Sequence, residues 1–359
     1  MKKKIIFTAG GTGGHIFPAT NLMKHFFEKD YEVLLVTDKR GNSFIKDNTK
    51  FKSYILKAET LTNKDFFKKI FSFLIIIYSI IKSIIILKKQ KPDLVFGLGG
   101  YVSFPISFAS IFFNIPLVIY ENNMVLGRAN KYLSFFSKKI FIAKEIEINF
   151  SKSLKKKTIK VGTVLDKEII NYFPKVKNND NKNFSILVLG GSQGAEIFGS
   201  VIPPVIKMIN DSGYKVEIFQ QCIESQKKKI ENFYKKNKIK NKIFIFHNNF
   251  LDFISLTDLA ISRCGASTTA ELVQTLTPFI AVPLPNSIDD HQYLNADYYN
   301  KKGCCFLLEQ NHFNSKNLFN LIVEIISNKN KLKNMHENMK KNSNKNVYVD
   351  IESKIKELI

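Results

Sequence analysis

Two glycine-rich loops contain the residue types that could bind an anion and accept a proton. The first loop, Gly10–His15 (GGTGGH), follows the apolar run KKIIFTA, and the second, Gly190–Ala195 (GGSQGA), follows FSILVL. Glycines let the backbone approach a ligand closely, and the N-terminus of a following helix offers N–H groups and the positive end of a dipole. His15 is either a proton acceptor or a structural neighbour of a helix N-cap. The two loops, about 180 residues apart, predict two similar domains that each handle an anionic group.

A further group of polar residues lies in the second half of the chain. Ser262–Glu271 (SRCGASTTAE) follows a strand-like run and opens a helical pattern, and its small residues would let a ligand approach the backbone. Glu271 could accept hydrogen bonds from two ribose hydroxyls, or it is only an acid near a helix cap. The next predicted strand exit, PLPNSIDDHQYLNA (283–296), adds Asp290, His291, Gln292 and Asn295. Because no carboxylates show a clear metal-ligand spacing, we expect neither a metal nor a cofactor.

The first glycine loop does not match the fingerprint of a dinucleotide-binding fold. Counted from Gly11, the third glycine of G-x-G-x-x-G would fall on Ile16. Asp38 nevertheless ends the second strand-like run, where a ribose-binding acid would lie. A dehydrogenase-like function therefore stays open on this one residue.

Apolar runs of strand length alternate with helical patterns in both halves of the chain. The first half contains IIFTA, YEVLLVT, FKSYIL, DLVFGLGG, PLVIYENN and KIFIA, with helices over about Pro18–Glu28 and about 64–90. After the polar stretch Tyr172–Asn183 the alternation restarts with FSILVLGG, KVEIFQQ, KIFIFH, LAISR and PFIAVP, and with a helix over Ser267–Gln274. Such runs are typical of parallel sheets covered on both faces. We predict an α/β protein with two doubly wound, Rossmann-like domains, and ligands at the strand ends facing a central cleft.

The predicted domain boundaries follow from this alternation. Residues 1–160 form an N-terminal domain, 161–335 a C-terminal domain, and 336–359 a helical segment at the end of the chain. That segment has enough apolar positions to dock back on the N-terminal domain, namely Val347, Val349, Ile351, Ile355 and Leu358.

The net charge and the cysteine spacing limit the classes of protein to which this chain could belong. A net charge of +23 suggests an anionic partner, but only three of the 54 basic residues are arginine, which is typical of a general compositional bias toward lysine. Both interpretations stay open. The four cysteines show no CxxC spacing, so we expect reduced thiols.

The segment Ile70–Leu87 (IFSFLIIIYSIIKSIIIL) approaches the length of a membrane span, but Lys82 and several hydroxyl residues interrupt it. Lysines flank it over about 64–89, which fits a helix lying in the surface of an anionic membrane. A buried crossover helix and a transmembrane helix are the alternatives.

Six motifs occur in an order and spacing that resemble one known family. They are GGTGGHIFPA, GLGGYVSFP (97–105), YENN (120–123), GGSQGA, SRCGASTTAE and DDHQYLNA (289–296). Over about residues 1–300 the chain resembles the MurG family, the peripheral membrane N-acetylglucosaminyltransferases of peptidoglycan synthesis. The resemblance implies a GT-B glycosyltransferase fold and transfer of N-acetylglucosamine from UDP-N-acetylglucosamine to lipid I, giving lipid II. It also implies a place on the cytoplasmic face of the inner membrane and no nucleic-acid partner.

The resemblance further implies roles for individual positions. His15 matches the proposed general base, and Asn123 and Gln292 match contacts of the GlcNAc sugar. Thr12, Gly13 and Gly14 match a loop that borders the donor sugar and the acceptor diphosphate. The remaining matches are a donor-diphosphate contact at Ser192, a uracil site at Leu251 and Ala266, and phosphate and ribose contacts over Ser267, Thr268, Thr269, Ala270 and Glu271.

Two positions depart from the family pattern. Members usually read His-Glu-Gln-Asn where this chain has Tyr120–Asn123. An arginine that contacts the donor usually follows Asn-Pro-Val, whereas here GTVL leads to Asp166, an acid that would repel a diphosphate. Lys167, the next residue, is a candidate substitute for that cation.

Other functions stay open beside this one. A diacylglycerol glucosyltransferase or a UDP-GlcNAc 2-epimerase would share the nucleotide-binding half. A basic membrane- or nucleic-acid-binding protein without enzymatic activity would explain the charge, but it would have no use for SRCGASTTAE.

Overall fold

The computed structural model consists of two compact units. Unit 1 contains Met1–Asp166 and Asn346–Ile359, and unit 2 contains Lys167–Lys345. The residues that the structure describes are 2–45, 51–57, 59, 65–145, 151–174, 183–191, 194–247, 249, 251–344 and 346–359. The units divide after residues 166 and 345, whereas the sequence suggested 160 and 335. The second division moves because Met335 and Met339 are buried in the core of unit 2.

Unit 1 is a parallel sheet with helices between its strands. Its described strands are β1 (Lys4–Thr8), β2 (Glu32–Thr37), β3 (Lys52–Ile55), β4 (Leu94–Gly97), β5 (Leu117–Glu121), β6 (Lys139–Ile142) and β7 (Thr158–Lys160). They pair in the order β3-β2-β1-β4-β5-β6-β7, with Ile5 opposite both Val33 and Leu94. Its described helices are α1 (Gly13–Glu28), α2 (Lys39–Ser43), α3 (Phe66–Gln90), α4 (Ser103–Ile111), α5 (Arg128–Leu133), α6 (Lys152–Lys157) and the C-terminal Val347–Lys356.

Unit 2 repeats the same plan. Its described strands are β8 (Phe184–Leu189), β9 (Val216–Gln221), β10 (Lys240–Phe244), β11 (Leu259–Ser262), β12 (Phe279–Ala281) and β13 (Phe306–Leu307), parallel and in the order β10-β9-β8-β11-β12-β13. Its described helices are α7 (Lys167–Ile170), α8 (Glu196–Asp211), α9 (Lys227–Lys236), α10 (Leu251–Ile254), α11 (Ala266–Gln274), α12 (His291–Lys301), α13 (Ser315–Ser327) and α14 (Lys329–Asn342); the C-terminal helix of unit 1 is α15. Short 3₁₀ segments occupy Glu224–Gln226, Ile288–Asp290 and Gln310–His312.

The central strands are buried on both faces, which explains their continuous apolar sequences. Ile5, Ile6 and Phe7 of β1 have no exposed surface. In a parallel sheet covered by helices, both faces of a strand pack against apolar side chains. One boundary differs from the prediction: α1 begins at Gly13 and not at Pro18, so His15 lies in the first turn of the helix.

Helix α3 buries serines and exposes apolar side chains. Ser72, Ser79 and Ser83 have no exposed surface, and the Ser79 hydroxyl donates to the carbonyl of Lys57 at 2.7 Å. The helix packs on α4, whose serines at 103, 107 and 110 are also buried. The large exposed side chains of α3 are Phe67, Ile70, Phe71, Phe73, Leu74, Ile77, Tyr78, Ile81 and Ile85.

This orientation bears on the three interpretations of the segment. By length and composition, Phe67–Gln90 is the one helix among the described residues that could cross a membrane, and 28% of its most apolar stretch is buried in the protein. The expectation of a well-buried crossover helix is therefore wrong, since most of the large apolar side chains described on α3 are exposed, although Ile86 and Leu87 are buried.

The C-terminal helix α15 packs against α1 within unit 1. Nε2 of the buried His25 donates to Oε2 of Glu352 at 2.9 Å, and the Tyr348 hydroxyl donates to the carbonyl of Leu165. Burial opposes ionisation of Glu352, but hydrogen bonds from Lys356 and His25 outweigh it, so the pKa of Glu352 is below its ordinary value. Polar contacts thus attach α15 to α1 and to the segment at Leu165.

We expect Glu352→Gln to lower the free energy of unfolding by about 1–2 kcal/mol near neutral pH, because it removes a charged acceptor from a buried hydrogen bond. A carboxylate whose pKa is lowered in the folded state stabilises the fold above its unfolded-state pKa of about 4.3. That contribution is lost as the pH falls through the folded-state pKa, so the difference between wild type and variant should shrink toward about pH 3. Urea unfolding followed by circular dichroism at both pH values measures it.

Glu357→Gln, on the same helix, is the matched control. The pKa of Glu357 is lowered to about 2 by hydrogen bonds from Lys139 and Lys354, but its side chain is about half exposed. Exposed ion pairs contribute little to stability, so we expect a smaller loss than for Glu352. If Glu352→Gln lowered the free energy of unfolding by the same amount near neutral pH and at about pH 3, the stabilising role of the Glu352 charge would be contradicted.

Candidate active site

Each glycine loop lies where the strand order of its sheet reverses. In unit 1, β1 lies between β2 and β4, and in unit 2, β8 lies between β9 and β11. In doubly wound sheets, ligands bind outside the carboxyl ends of the strands at such a switch point. The structure therefore places each loop at the expected ligand-binding edge of its own sheet.

The imidazole of His15 is fixed by the backbone of the neighbouring strand exit. Its Nδ1 lies 2.9 Å from the carbonyl oxygen of Leu98, the residue after β4. A carbonyl oxygen only accepts hydrogen bonds, so Nδ1 carries the proton in the neutral ring and Nε2 carries the lone pair. The half-buried His15 is thus held in the tautomer in which Nε2 accepts a proton.

Glycines make this contact possible. Gly99 and Gly100 have φ angles of +95° and +81°. A Cβ at Gly99 would lie 2.9 Å from Cε1 and Nδ1 of His15, and a Cβ at Gly100 would lie 2.4 Å from the carbonyl oxygen of Gly10. Any larger residue there would push the GLGG loop away from the imidazole and from the first glycine loop.

Thr12, Gly13 and Gly14 form the N-cap and the first turn of α1. Thr12 is in an extended conformation, and its side chain makes no capping hydrogen bond. The first N–H groups of an α-helix have no acceptor within the helix, and they coincide with the positive end of the helix dipole. No acidic residue lies in this first turn, so this edge of unit 1 favours an anion.

Asp38 has a structural role that the sequence did not indicate. Its Oδ2 accepts from the backbone N of Gly11 at 3.1 Å, and its Oδ1 accepts from the N of Gly41 at the start of α2. The carboxylate therefore fastens the first glycine loop to the end of β2. Both carboxylate oxygens of Asp38, the expected ribose-binding acid, accept hydrogen bonds from backbone N–H groups. This corrects the dehydrogenase-like interpretation.

Asn123 lies in a loop organised by a buried carboxylate. Glu121, the last residue of β5, is 1% exposed. Its Oε1 accepts from the backbone N and the side-chain amide of Asn123 at 3.1 and 3.2 Å, and its Oε2 accepts from Gly127 N and Asn130 Nδ2 at 2.8 and 3.0 Å. Glu121 therefore sets the position of Asn123 at the carboxyl end of β5.

Tyr120, one of the departures from the family pattern, is fully buried. Its hydroxyl accepts from Val164 N at 3.0 Å and can donate to Gly162 O at 3.2 Å or to Asn122 Oδ1 at 3.1 Å. Burial raises the pKa of Tyr120 well above 10, so the phenol stays neutral. Tyr120 thereby joins β5 to the GTVL segment that precedes Asp166.

The side chain of Gln221, the last residue of β9, forms hydrogen bonds with two residues of the second glycine loop. Its Oε1 accepts from Gly190 N at 3.0 Å, and its Nε2 donates to the carbonyls of Gly191 and Ile245 at 3.3 and 3.0 Å. Gly191 has a φ angle of +78°. Ser192, the predicted diphosphate contact, lies outside the described residues.

The predicted phosphate and ribose residues lie on the first turns of α11, which begins at Ala266. Ser267, Thr268 and Glu271 are partly exposed, whereas Thr269 and Ala270 are buried. The Thr269 hydroxyl donates to the carbonyl of Gly265 at 3.1 Å or to that of Ala266 at 3.2 Å. Among these five residues, only the side chains of Ser267, Thr268 and Glu271 are exposed enough to contact a ligand.

Gln292 on α12 has its amide orientation set by two backbone donors. Its Oε1 accepts from Cys264 N and from Leu284 N, both at 3.1 Å. The amide oxygen is thus used within the protein, and the Nε2 group remains as the donor that a sugar oxygen could accept from. Gln292 also links the loop before α11 to the loop after β12.

Leu251 is partly buried at the start of α10, where its backbone N donates to Oδ1 of Asn249 at 3.1 Å. Asp289 and Asp290 lie just before α12 with φ angles of +52° and +50°, a conformation that Asp tolerates better than most residues. All four cysteines are buried free thiols, as expected from their spacing.

Sequence reasoning missed Glu121, Gln221 and Arg263, whose side chains hold the strand exits in place. Glu121 and Gln221 each end an apolar strand, and a charged or amide residue there is a signal that could have identified them. Arg263 follows β11, and its guanidinium donates to the carbonyls of Val282 and Pro283 at the exit of β12.

Two family models match the chain: the glycosyltransferase family 28 N-terminal domain over residues 5–142, and the glycosyltransferase family 28 C-terminal domain over residues 185–351. The UDP-N-acetylglucosamine--N-acetylmuramyl-(pentapeptide) pyrophosphoryl-undecaprenol N-acetylglucosamine transferase of Pelagibacter ubique is 36% identical, covering 99% of this chain and 100% of its own length. The protein of the same name from Rickettsia bellii is 35% identical over 94% of both chains. The crystal structure of MurG from Acinetobacter baumannii has a TM-score of 0.80, with 24% identity over 99% of each chain.

The likeness to that crystal structure confirms the predicted fold class, two doubly wound α/β domains of the GT-B type. The curated relatives exceed one third identity over nearly the whole chain and carry one and the same name. The chain therefore belongs to glycosyltransferase family 28 and, within it, to the MurG family.

Proposed function

We propose that this protein transfers N-acetylglucosamine from UDP-N-acetylglucosamine to lipid I, forming lipid II with a β-1,4 linkage and inversion at the anomeric carbon. The observation that carries the proposal is the imidazole of His15, fixed by Leu98 O at a strand switch point, in a chain of this family. The names of the relatives supply the donor and the acceptor.

In the proposed reaction, His15 is the general base. Its Nε2 accepts the proton of the acceptor hydroxyl as that oxygen forms a bond to the anomeric carbon of the donor sugar. The hydrogen bond from Nδ1 to Leu98 supports this role, because it keeps the lone pair on Nε2 and stabilises the imidazolium that forms.

The bond that breaks joins the anomeric carbon to an oxygen of the β-phosphate. Its electron pair stays on that oxygen, so UDP leaves with additional negative charge. We assign the second glycine loop, the first turn of α11 and Ser192 to this diphosphate. Backbone N–H groups and helix dipoles suit that task because they are oriented before the reaction and need little reorganisation. Glu271 is assigned to the ribose hydroxyls. The amide Nε2 of Gln292 and the side chain of Asn123 are assigned to the GlcNAc sugar.

The direct test is transfer of radiolabel from UDP-N-acetylglucosamine to a lipid I analogue, followed by extraction into an organic phase. We expect acceptor-dependent label in the lipid product, and none when the analogue is omitted. Release of free N-acetylmannosamine without an acceptor would instead identify a 2-epimerase. Label transferred to diacylglycerol would identify a lipid glucosyltransferase, and binding without turnover would exclude an enzyme.

We expect His15→Ala to lower kcat by about two to four orders of magnitude, the effect of removing a general base. The KM for UDP-N-acetylglucosamine should change little, because the nucleotide and the diphosphate of the donor are assigned to unit 2 and His15 is assigned to the acceptor hydroxyl. Steady-state kinetics with the lipid I analogue measures both quantities.

His312→Ala is the matched control, since His312 is exposed on the 3₁₀ segment Gln310–His312 of unit 2. Its kinetics should equal those of the wild type. If His15→Ala kept a kcat near that of the wild type, the assignment of His15 as the general base would be wrong.

We further propose that unit 1 rests on the cytoplasmic face of the inner membrane through helix α3. Its outward side chains include Phe71, Phe73, Leu74 and Ile85, each at least half exposed. Exposed lysines accompany them at positions 68, 69, 82, 88 and 89, whereas the predicted segment 64–89 begins at Lys64, outside the described residues. Apolar burial in the lipid interface and attraction of lysines to anionic headgroups act together in such a helix.

The triple variant Lys68→Glu, Lys69→Glu and Lys82→Glu should lose binding to vesicles that contain anionic phospholipid. Each lysine near an anionic surface contributes on the order of 1 kcal/mol, and charge reversal replaces attraction by repulsion. Flotation on a density gradient, at low and at high salt, measures the bound fraction.

A variant with three lysines of α9 in unit 2 replaced by glutamate, at positions 228, 229 and 235, is the control for net charge. These lysines are also exposed, so this variant carries the same charge change away from α3. Equal loss of binding in both variants, or no loss in the α3 variant, would contradict the electrostatic part of the proposal.

A further inference from the structure

Arg263 is a buried cation that binds carbonyl groups. It is 7% exposed and directly follows β11. Its Nη1 donates to Val282 O at 3.2 Å and to Pro283 O at 3.0 Å, and its Nη2 donates to Oε1 of Gln310 at 2.5 Å. The guanidinium carbon also lies 4.9 Å from the centroid of the Phe198 ring.

These partners accept from three of the five N–H groups of the guanidinium and leave the charge without a counter-ion. In the part of the chain that the structure describes, no carboxylate forms a salt bridge with Arg263. Burial lowers the pKa of Arg263, yet a guanidinium stays protonated at physiological pH. A buried charge without an opposite charge is costly to the fold, and such groups concentrate at functional sites.

The position of Arg263 connects this charge with the second glycine loop. A Cβ at Gly191 would lie 3.8 Å from the Cβ of Arg263, and Phe198 belongs to the first turn of α8, the helix after that loop. The next residue, Cys264, donates its backbone N to Gln292. Arg263 therefore lies close to Gly191 of the loop and is followed by a residue that binds Gln292.

We propose that Arg263 is a specificity-determining residue for the donor, whose uncompensated positive charge attracts the diphosphate of a nucleoside diphosphate sugar that binds at the carboxyl ends of β8 and β11. This inference rests on the proposed function, since it assumes that unit 2 binds UDP. The attraction acts at short range in a medium of low dielectric, where solvent ions screen it little.

A purely structural role for Arg263 makes different predictions. In that case the guanidinium only fastens the exits of β11 and β12, and a change to it would weaken nucleoside and nucleoside diphosphate binding by the same factor. Under our proposal the diphosphate loses affinity and the nucleoside does not. The ratio of the Kd values for uridine and UDP separates the two roles.

The experiment is Gln310→Glu, a substitution of nearly equal shape that places a carboxylate against Nη2 of Arg263. It keeps the guanidinium and its hydrogen bond but neutralises the charge. We expect the affinity for UDP to fall about tenfold and the affinity for uridine to change less than about twofold. Titration calorimetry gives the UDP constant, and competition with uridine gives the other.

Three further variants complete the design. Asn311→Asp adds the same charge at the neighbouring exposed residue, and we expect no effect on either ligand. Arg263→Met removes the charge and should lower UDP affinity as Gln310→Glu does. Arg263→Lys keeps the charge without the forked hydrogen bonds. The ratio of the Kd values for uridine and UDP should therefore stay near the wild-type value in this variant.

The outcomes are distinguishable. If wild-type protein does not bind UDP, the proposed function fails, and the inference fails with it. If wild type binds UDP but folded Gln310→Glu protein keeps the wild-type ratio, or loses both ligands equally, the inference alone is overturned. If Gln310→Glu does not fold, as judged by urea unfolding, the comparison of Arg263→Met with Arg263→Lys decides. A ratio that collapses in Arg263→Met and is retained in Arg263→Lys supports the charge, and a ratio that is retained in both variants or collapses in both overturns it.

Discussion

The constraint on which the rest of this structure depends is the parallel direction of every described strand pair. Parallel strands all end at one edge of a sheet, so the loops that leave them meet there together with the N-termini of the following helices. Backbone N–H groups at that edge are in excess, which makes it electropositive without many charged side chains. The two units use the same edge in different ways: unit 1 adds an imidazole to it, and unit 2 adds a buried guanidinium.

A second common feature is that polar side chains hold the strand-exit loops by their backbones. Asp38 holds the first glycine loop, Gln221 the second, and Glu121 the loop of Asn123. In each case an acceptor oxygen at the end of a neighbouring strand or of the same strand binds backbone N–H groups. A backbone group held in this way has less conformational freedom to lose when a ligand binds, which lowers the entropic cost of binding.

The strands and the two-domain plan were predictable because buried parallel strands are continuous apolar runs, as in β1 and β8. The positions of His15 and of the α11 turn were predictable from the motifs that surround them. The hold of Asp38 on the first glycine loop was not, because Gly11 becomes its neighbour only when β1 and β2 pair. The orientation of α3 was also hidden: apolar residues occur all around this helix, and the position of the serines toward α4 depends on tertiary packing.

The attachment of α15 to unit 1 has a consequence for how the protein forms during synthesis. The ribosome releases the first 166 residues long before the last 14, and unit 2 lies between them in the sequence. Unit 2 has all its strands and helices in one continuous stretch, so it can complete its core while unit 1 still lacks a helix. Unit 1, although most of it is made first, is therefore completed only after unit 2, and a chain that stops before residue 346 would leave the α1 surface around His25 uncovered.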